Sequence, residues 1–117
     1  MNNPVVAWQI VSPEPDETAS FLGKLFGWRT TRDNTLAYRE VRTGDGGMPG
    51  GVWPAPREVR PFVQLFVEVP DIDACVERAM ALGATVVVPK SALPEGGAMA
   101  VLLDPLGLPV AIRTRPG

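Results

Sequence analysis

The stretch PFVQLFVEVPDIDACVERAMALGATVVVP, Pro61 to Pro89, passes from a strand period to a helix period and back. Pro61 to Val69 alternates, with Val63, Leu65, Val67 and Val69 on one side and Phe62, Gln64, Phe66 and Glu68 on the other. Asp71 then stands where a helix N-cap belongs. Ile72, Cys75, Val76 and Ala79 recur at i, i+3, i+4 and i+7, marking the buried face of a helix over Ile72 to Leu82 that Gly83 stops. Ala84 to Pro89 returns to an extended apolar run. Downstream, GAMAVLLD (Gly97 to Asp104) and LPVAI (Leu108 to Ile112) read as two more strands around a turn holding Pro105 and Gly107. The second half of the chain is therefore strand, helix, strand, strand, strand.

The first half follows the same plan. VVAWQIV (Val5 to Val11) is strand-like, and the helix Asp16 to Phe26 places Ala19, Leu22, Leu25 and Phe26 at helical spacing. Asp16 and Glu17 suit its positive end, Lys24 its last turn, and Gly27 its stop. Gly23 weakens this helix by about 1 kcal/mol relative to Ala, so tertiary packing has to hold it. WRTTR (Trp28 to Arg32) and LAYREVR (Leu36 to Arg42) read as strands. The glycine-rich TGDGGMPGGVWPAP after them reads as a loop with a short strand at Gly51 to Trp53. Setting Gly27 against Gly83 gives an offset of 56 residues, which also pairs Phe26 with Leu82, Trp8 with Gln64 and Gly51 with Gly107. An internal duplication of a βαβββ unit accounts for this, because one unit alone leaves a sheet face uncovered. The expectation is a single domain over residues 1–117, with one module over 4–56 and the other over 60–115.

Composition narrows the function. A chain of 117 residues can bury roughly 65% of its unfolded surface, and 45% hydrophobic with 21% charged residues is ordinary for a globular domain. No apolar run approaches the roughly 20 residues of a membrane helix, and no basic leader opens the chain, so a cytoplasmic protein is expected. The net charge is −2 with scattered Lys and Arg, which gives no footprint for nucleic acid or anionic lipid. The single Cys75 can form no intrachain disulfide and no zinc site alone, and it reads as a small core residue of its helix. There is no histidine, which removes Ser-His-Asp and Cys-His nucleophile systems and every metal site that needs imidazole. Carboxylate, Lys, Tyr or Cys would have to carry any proton transfer. GDGGMPGG lacks the Gly-Lys-Ser/Thr ending of a phosphate loop and reads as a flexible loop or lid edge, and PEGGAM (Pro94 to Met99) as a turn.

FLGKLFGW in the first half, VEVPDIDACVERAMALGATVVVP in the second and MAVLLDPLGLPVAI near the end together resemble the vicinal-oxygen-chelate superfamily of glyoxalases, extradiol dioxygenases and bleomycin-resistance proteins. The resemblance covers nearly the whole chain. It implies an α+β fold: two tandem βαβββ modules forming an eight-stranded curved mixed sheet around a cavity, with the helices outside. In metal-using members the ligands are typically His, Glu or Gln at equivalent strand positions of the two modules. Carried over, these positions fall on Trp8 (or Ala7 after a one-residue slip), on Gln64, and on Ala111, four residues after the glycine of DPLG; the remaining one lies near GGVWP. An indole and a methyl group offer no lone pair, and one neutral amide is a poor divalent site, so no metal and no cofactor is expected.

The same resemblance directs the second face of the Pro61–Val69 strand into the cavity. Trp8, Tyr38, Trp53, Phe62, Gln64, Phe66, Met99 and Ala111 are the expected ligand-binding residues, with no catalytic residue among them. Ile10 joins them by the offset, and Glu68 reads as a solvated rim residue. Two functions follow. One is metal-independent binding of an apolar or aromatic small molecule, as in sequestration or resistance, by a homodimer. The alternative is a lyase, isomerase or dioxygenase-type enzyme with an altered metal site or with Glu68 or Glu40 as base.

Overall fold

A computed structural model describes residues 3–31, 38–93 and 96–115. The class is α+β, with two helices and eight strands of mixed direction among the described residues. Contacts divide the chain into two units, Ala7 to Gln64 and the residues up to Val6 together with those from Leu65 onward. The division falls within the expected strand Pro61 to Val69, a few residues beyond the boundary near residue 60 read from the sequence.

In the first module β1 (Val5–Ser12) leads into α1 (Pro15–Phe26), followed by β2 (Arg29–Thr31), β3 (Arg39–Arg42) and β4 (Gly50–Pro54). Of the two expected strands Trp28–Arg32 and Leu36–Arg42, Arg32, Leu36 and Ala37 lie outside the described residues, as do Pro94 and Glu95 of the PEGGAM turn. The strand order is β2-β3-β4-β1, antiparallel except that β4 returns parallel to β1. The second module repeats it with β5 (Phe62–Glu68), α2 (Ile72–Ala81), β6 (Thr85–Ala92), β7 (Ala98–Leu103) and β8 (Pro109–Arg113). Its order is β6-β7-β8-β5, again with the last strand parallel to the first. Identical topology is what a duplicated βαβββ unit requires.

Each helix has the ends its sequence sets. Asp71 Oδ1 accepts from the Ala74 amide at 3.1 Å, capping α2. Gly27 closes α1 at φ 74°, a conformation that costs glycine nothing, and its N–H donates to the Gly23 carbonyl at 2.8 Å. Glu14 at the N-cap of α1 offers no side-chain cap. Ser12, nearly fully buried, accepts from the Glu14 amide at 3.1 Å and shares a 2.8 Å hydrogen bond with Thr18, tying that helix end to β1.

The core lies between each helix and its own sheet. In the second module Ile72 of α2 packs with Val69, Ala100, Leu102 and Ile112, and the predicted helix-face residues Cys75, Val76 and Ala79 close around them. In the first module Ala19 packs with Val41 and Val52, flanked by Trp8, Ile10 and Trp28. Leu25 and Phe26, expected on the buried face of α1, are more than half exposed. Helical spacing put them on one face, but Ala19 is the residue of that helix that becomes buried, while Phe26 rests against Trp28 at 5.0 Å between ring centres. No helix among the described residues is long and apolar enough to cross a membrane.

Candidate functional site

Alternation along the strands sorts each module into a helix-covered face and an opposite face. In β1 and β4 the register pairs Trp8 with Gly50, Gln9 with Gly51, Ile10 with Val52 and Val11 with Trp53. Val52 is in the helix-side core, so Trp8 and Ile10 lie on that side. A side chain at Gly50 would overlap the Trp8 ring. The expectation that Trp8 and Ile10 line the opposite face is thus corrected: the repeat is out by one here. It is Gln9, a polar residue in the apolar run VVAWQIV, that takes the place assigned to Trp8.

Gln9 is 3% exposed and Gln64 is 5% exposed, and the Gln64 Nε2 donates to Gln9 Oε1. The second hydrogen-bonding edge of this amide pair is left over: Gln64 Oε1 is buried and has no partner among the described residues. Two carboxamides joined through one hydrogen bond keep one acceptor and one donor edge free, whichever way the amides are flipped. Beside Gln9, the Tyr38 ring lies over Gly51, and it stacks on Trp53 at 4.3 Å between centres and 7° between planes. Tyr38, Trp53, Gln64 and Gln9 therefore form one aromatic and amide patch in the first module. Phe62 does not join it; it borders a groove with Ile10, Phe21 and Leu22 beside α1.

In the second module Phe66 stands beside Ala111, Ala111 beside Val101, and Met99 beside Arg113. Ala111 is fully enclosed and Phe66 is 7% exposed. Phe66, Met99 and Ala111 thus share the face opposite α2, while Val67, Ala100, Leu102 and Ile112 pack toward the helix. The Arg113 guanidinium lies 5.7 Å from the Phe66 ring centre. Glu68, read as a solvated rim residue, is held down instead. Its side chain is only 14% exposed, Arg115 Nε donates to it at 2.8 Å, and Arg113 Nη2 lies 3.9 Å away.

The positions where the resemblance placed metal ligands can now be read from the registers. Trp53 stands beside Val11 in β4 as Ala111 stands beside Phe66 in β8, which fixes the position near GGVWP that the sequence left open. The offset pairing Gly51 with Gly107 is corrected with it, since Gly51 lies within β4 and Gly107 in the β7–β8 turn. The four positions carry Gln9, Trp53, Gln64 and Ala111. Among the described residues no three His, Cys, Asp or Glu side chains could hold a metal ion together.

On the helix side of the second module, a cavity of about 310 Å³ is lined by Val67, Val69, Cys75, Leu102, Val110 and Ile112, among others. Burial pushes the Cys75 thiol up from its ordinary value, favouring its protonated form.

The chain belongs to the family of the glyoxalase-like domain, which it matches over residues 6–112. This is a branch of the vicinal-oxygen-chelate superfamily. Among solved structures it is similar to methylmalonyl-CoA epimerase from Mycobacterium tuberculosis, with a TM-score of 0.63 and 14% identity over 100% of this chain and 93% of that one. Similar too is methylmalonyl-CoA epimerase from Streptomyces coelicolor in complex with 2-nitronate-propionyl-CoA, at TM-score 0.61 and 18% identity over 97% of each chain. A hypothetical protein from Bacillus halodurans gives a TM-score of 0.68 at 10% identity, over 100% of this chain and 97% of that one. No curated protein matches the sequence. Identities this low establish the shared fold.

Proposed function

We propose that the chain is a metal-independent binding protein of the glyoxalase and bleomycin-resistance type, which holds an apolar or aromatic small molecule for sequestration rather than conversion. The observation that carries this reading is the buried, unpartnered Gln64 Oε1, linked through Gln9 to the strand over which the stacked Tyr38 and Trp53 lie. A buried acceptor left without a partner costs about 1–3 kcal/mol, which a ligand donor would offset, while stacked rings offer the flat apolar surface on which affinity for a small molecule rests. Absence of a metal is supported by the donor set. An indole and a methyl group at two of the four positions leave two neutral amides, one of which already binds the other. Divalent cations favour several oxygen ligands with carboxylates among them. The reading extends to a homodimer in the cytoplasm, which light scattering and cell fractionation would check.

The structural neighbours favour the alternative of an enzyme, since two of them are epimerases. For this chain, either Glu40, exposed and opposite Gly51 in the register, or Glu68, held by Arg115, would serve as the base, unless an altered metal site did the work. Gln64→Leu separates the readings from a purely structural role. It should abolish the thermal shift produced by any hit from a metal-free panel of aromatic small molecules, while changing stability by less than about 2 kcal/mol. A larger stability loss with unchanged ligand shifts would make the amide pair structural. Turnover of a panel compound, lost in Glu40→Gln, would establish the enzyme instead.

A further inference from the structure

Arg113 is the least satisfied cation among the half-buried side chains on this face. Its side chain is 25% exposed, yet among the described residues it forms no hydrogen bond, and its Nε is buried without a partner. Its one ion pair among the described residues is to Glu68 Oε2 at 3.9 Å, beyond hydrogen-bonding reach, while Glu68 Oε1 accepts from Arg115 at 2.8 Å. A guanidinium has five N–H donors in a planar fork, and leaving them unmatched in a partly desolvated place is costly unless something else accepts from them. Two arginines against one carboxylate also leave this cluster with a surplus positive charge.

The surroundings define what would fit. The Phe66 ring centre lies 5.7 Å from the guanidinium carbon, within cation–π range, beside a fork that is planar by its own delocalisation. Ala111, two residues earlier on the same face of β8, offers only a methyl group, and Met99 is the cross-strand neighbour on β7. A fork with free donors, an aromatic floor and small apolar neighbours suits a carboxylate carried on a flat apolar body. Bidentate pairing matches a carboxylate in geometry as well as in charge.

Extending the binding reading above to the second module, we propose that Arg113 receives the carboxylate of an aromatic or apolar organic acid held on the face opposite α2, in preference to its neutral counterpart. Glu68 and Arg115 act as positioning residues: Arg115 holds Glu68 through Oε1, and Glu68 Oε2 stays 3.9 Å from Arg113 Nη2, too far to close the fork.

The test is an NMR titration of the isotope-labelled full chain with two probes of nearly equal shape, phenylacetate and phenylacetamide, at low and at 0.5 M salt. Phenylacetate should shift the Arg113 Nε–H, Phe66 and Ala111 signals saturably, and bind at least tenfold more tightly than phenylacetamide, with the preference shrinking as salt rises. Arg113→Met should remove the preference and leave phenylacetamide binding unchanged. Should Arg113→Met not fold, Arg113→Lys, which keeps the charge and loses the fork, should reduce the preference severalfold. Equal binding of acid and amide, or a preference that survives in Arg113→Met or Arg113→Lys, overturns the carboxylate assignment while leaving the pocket reading intact. Saturable binding of the acid that shifts signals elsewhere and not those of Arg113 overturns it as well. If neither probe shifts any signal on this face, the assignment fails, and the Gln64→Leu panel decides separately whether the binding reading fails with it.

Discussion

Gly50→Ala is the substitution that most directly probes how β1 sits against β4. A Cβ at position 50 would fall 2.1 to 2.3 Å from three carbons of the Trp8 indole. Carbon atoms rest at about 3.5–4.0 Å, so the ring would have to retreat by more than about 1 Å. It has little room to do so. Trp8 packs against the cluster of Ala19, Val41 and Val52, meets Trp28 at 5.7 Å, and donates its Nε1–H to the Met48 carbonyl at 3.0 Å. Overpacking costs about 1–3 kcal/mol and the displaced hydrogen bond about 1 kcal/mol more, for a loss of about 2–4 kcal/mol. In a domain of this size that lowers Tm by something on the order of 10 °C. Urea denaturation followed by tryptophan fluorescence measures it. In a Trp8→Ala background the space is open, and Gly50→Ala should then cost less than about 1 kcal/mol, so the double-mutant cycle isolates the clash. A wild-type midpoint for Gly50→Ala, or the same loss in both backgrounds, would mean that Trp8 does not fill this space and that the assignment of Gln9 to the opposite face is wrong.

Two further outcomes test other parts of the structure. Asp71→Ala removes the cap on the Ala74 amide and should cost about 1 kcal/mol, read as a fall in Tm of a few degrees; an unchanged Tm would show that α2 does not depend on this cap. Burial raises the Cys75 thiol in the folded state, so its contribution is complete below the unfolded value of about 8.5 and is lost as pH rises through the higher folded value. The stability difference between wild type and Cys75→Ala should therefore be constant up to about pH 8 and shrink above it, with iodoacetamide reacting much more slowly in buffer than in urea. Rapid alkylation of the folded protein would contradict this.

The modular plan was legible because its signals are local. Asp71, Gly27 and Gly83 mark helix ends through backbone geometry that needs no distant partner, and the helix face of Ile72, Cys75, Val76 and Ala79 follows from spacing alone. The site was legible only in part. VVAWQIV is apolar on both faces, so period-2 alternation could not tell which way Trp8 points, and the offset anchored on the helix-end glycines was carried into strands whose connections differ in length. Gln9 was the available signal, a lone amide in an apolar strand. Arg113 and Glu68 were out of reach for another reason: their juxtaposition depends on the parallel register of β5 and β8, a long-range pairing that neither segment encodes locally. Tyr38 and Trp53 are each legible as aromatic candidates, but their stacking, with Tyr38 over Gly51, arises only when β3 and β4 pair.

The central claim is that the amide and aromatic patch of the first module binds small molecules without a metal. The most direct test is thermal denaturation of chelator-treated protein titrated with Ni, Zn, Mn and Fe(II) salts, since any ion that binds the folded chain alone must raise its Tm. The account predicts no saturable rise with any of the four. A saturable rise at one ion per chain, abolished by Gln64→Leu, would contradict it and place a metal among Gln9, Gln64 and their neighbours.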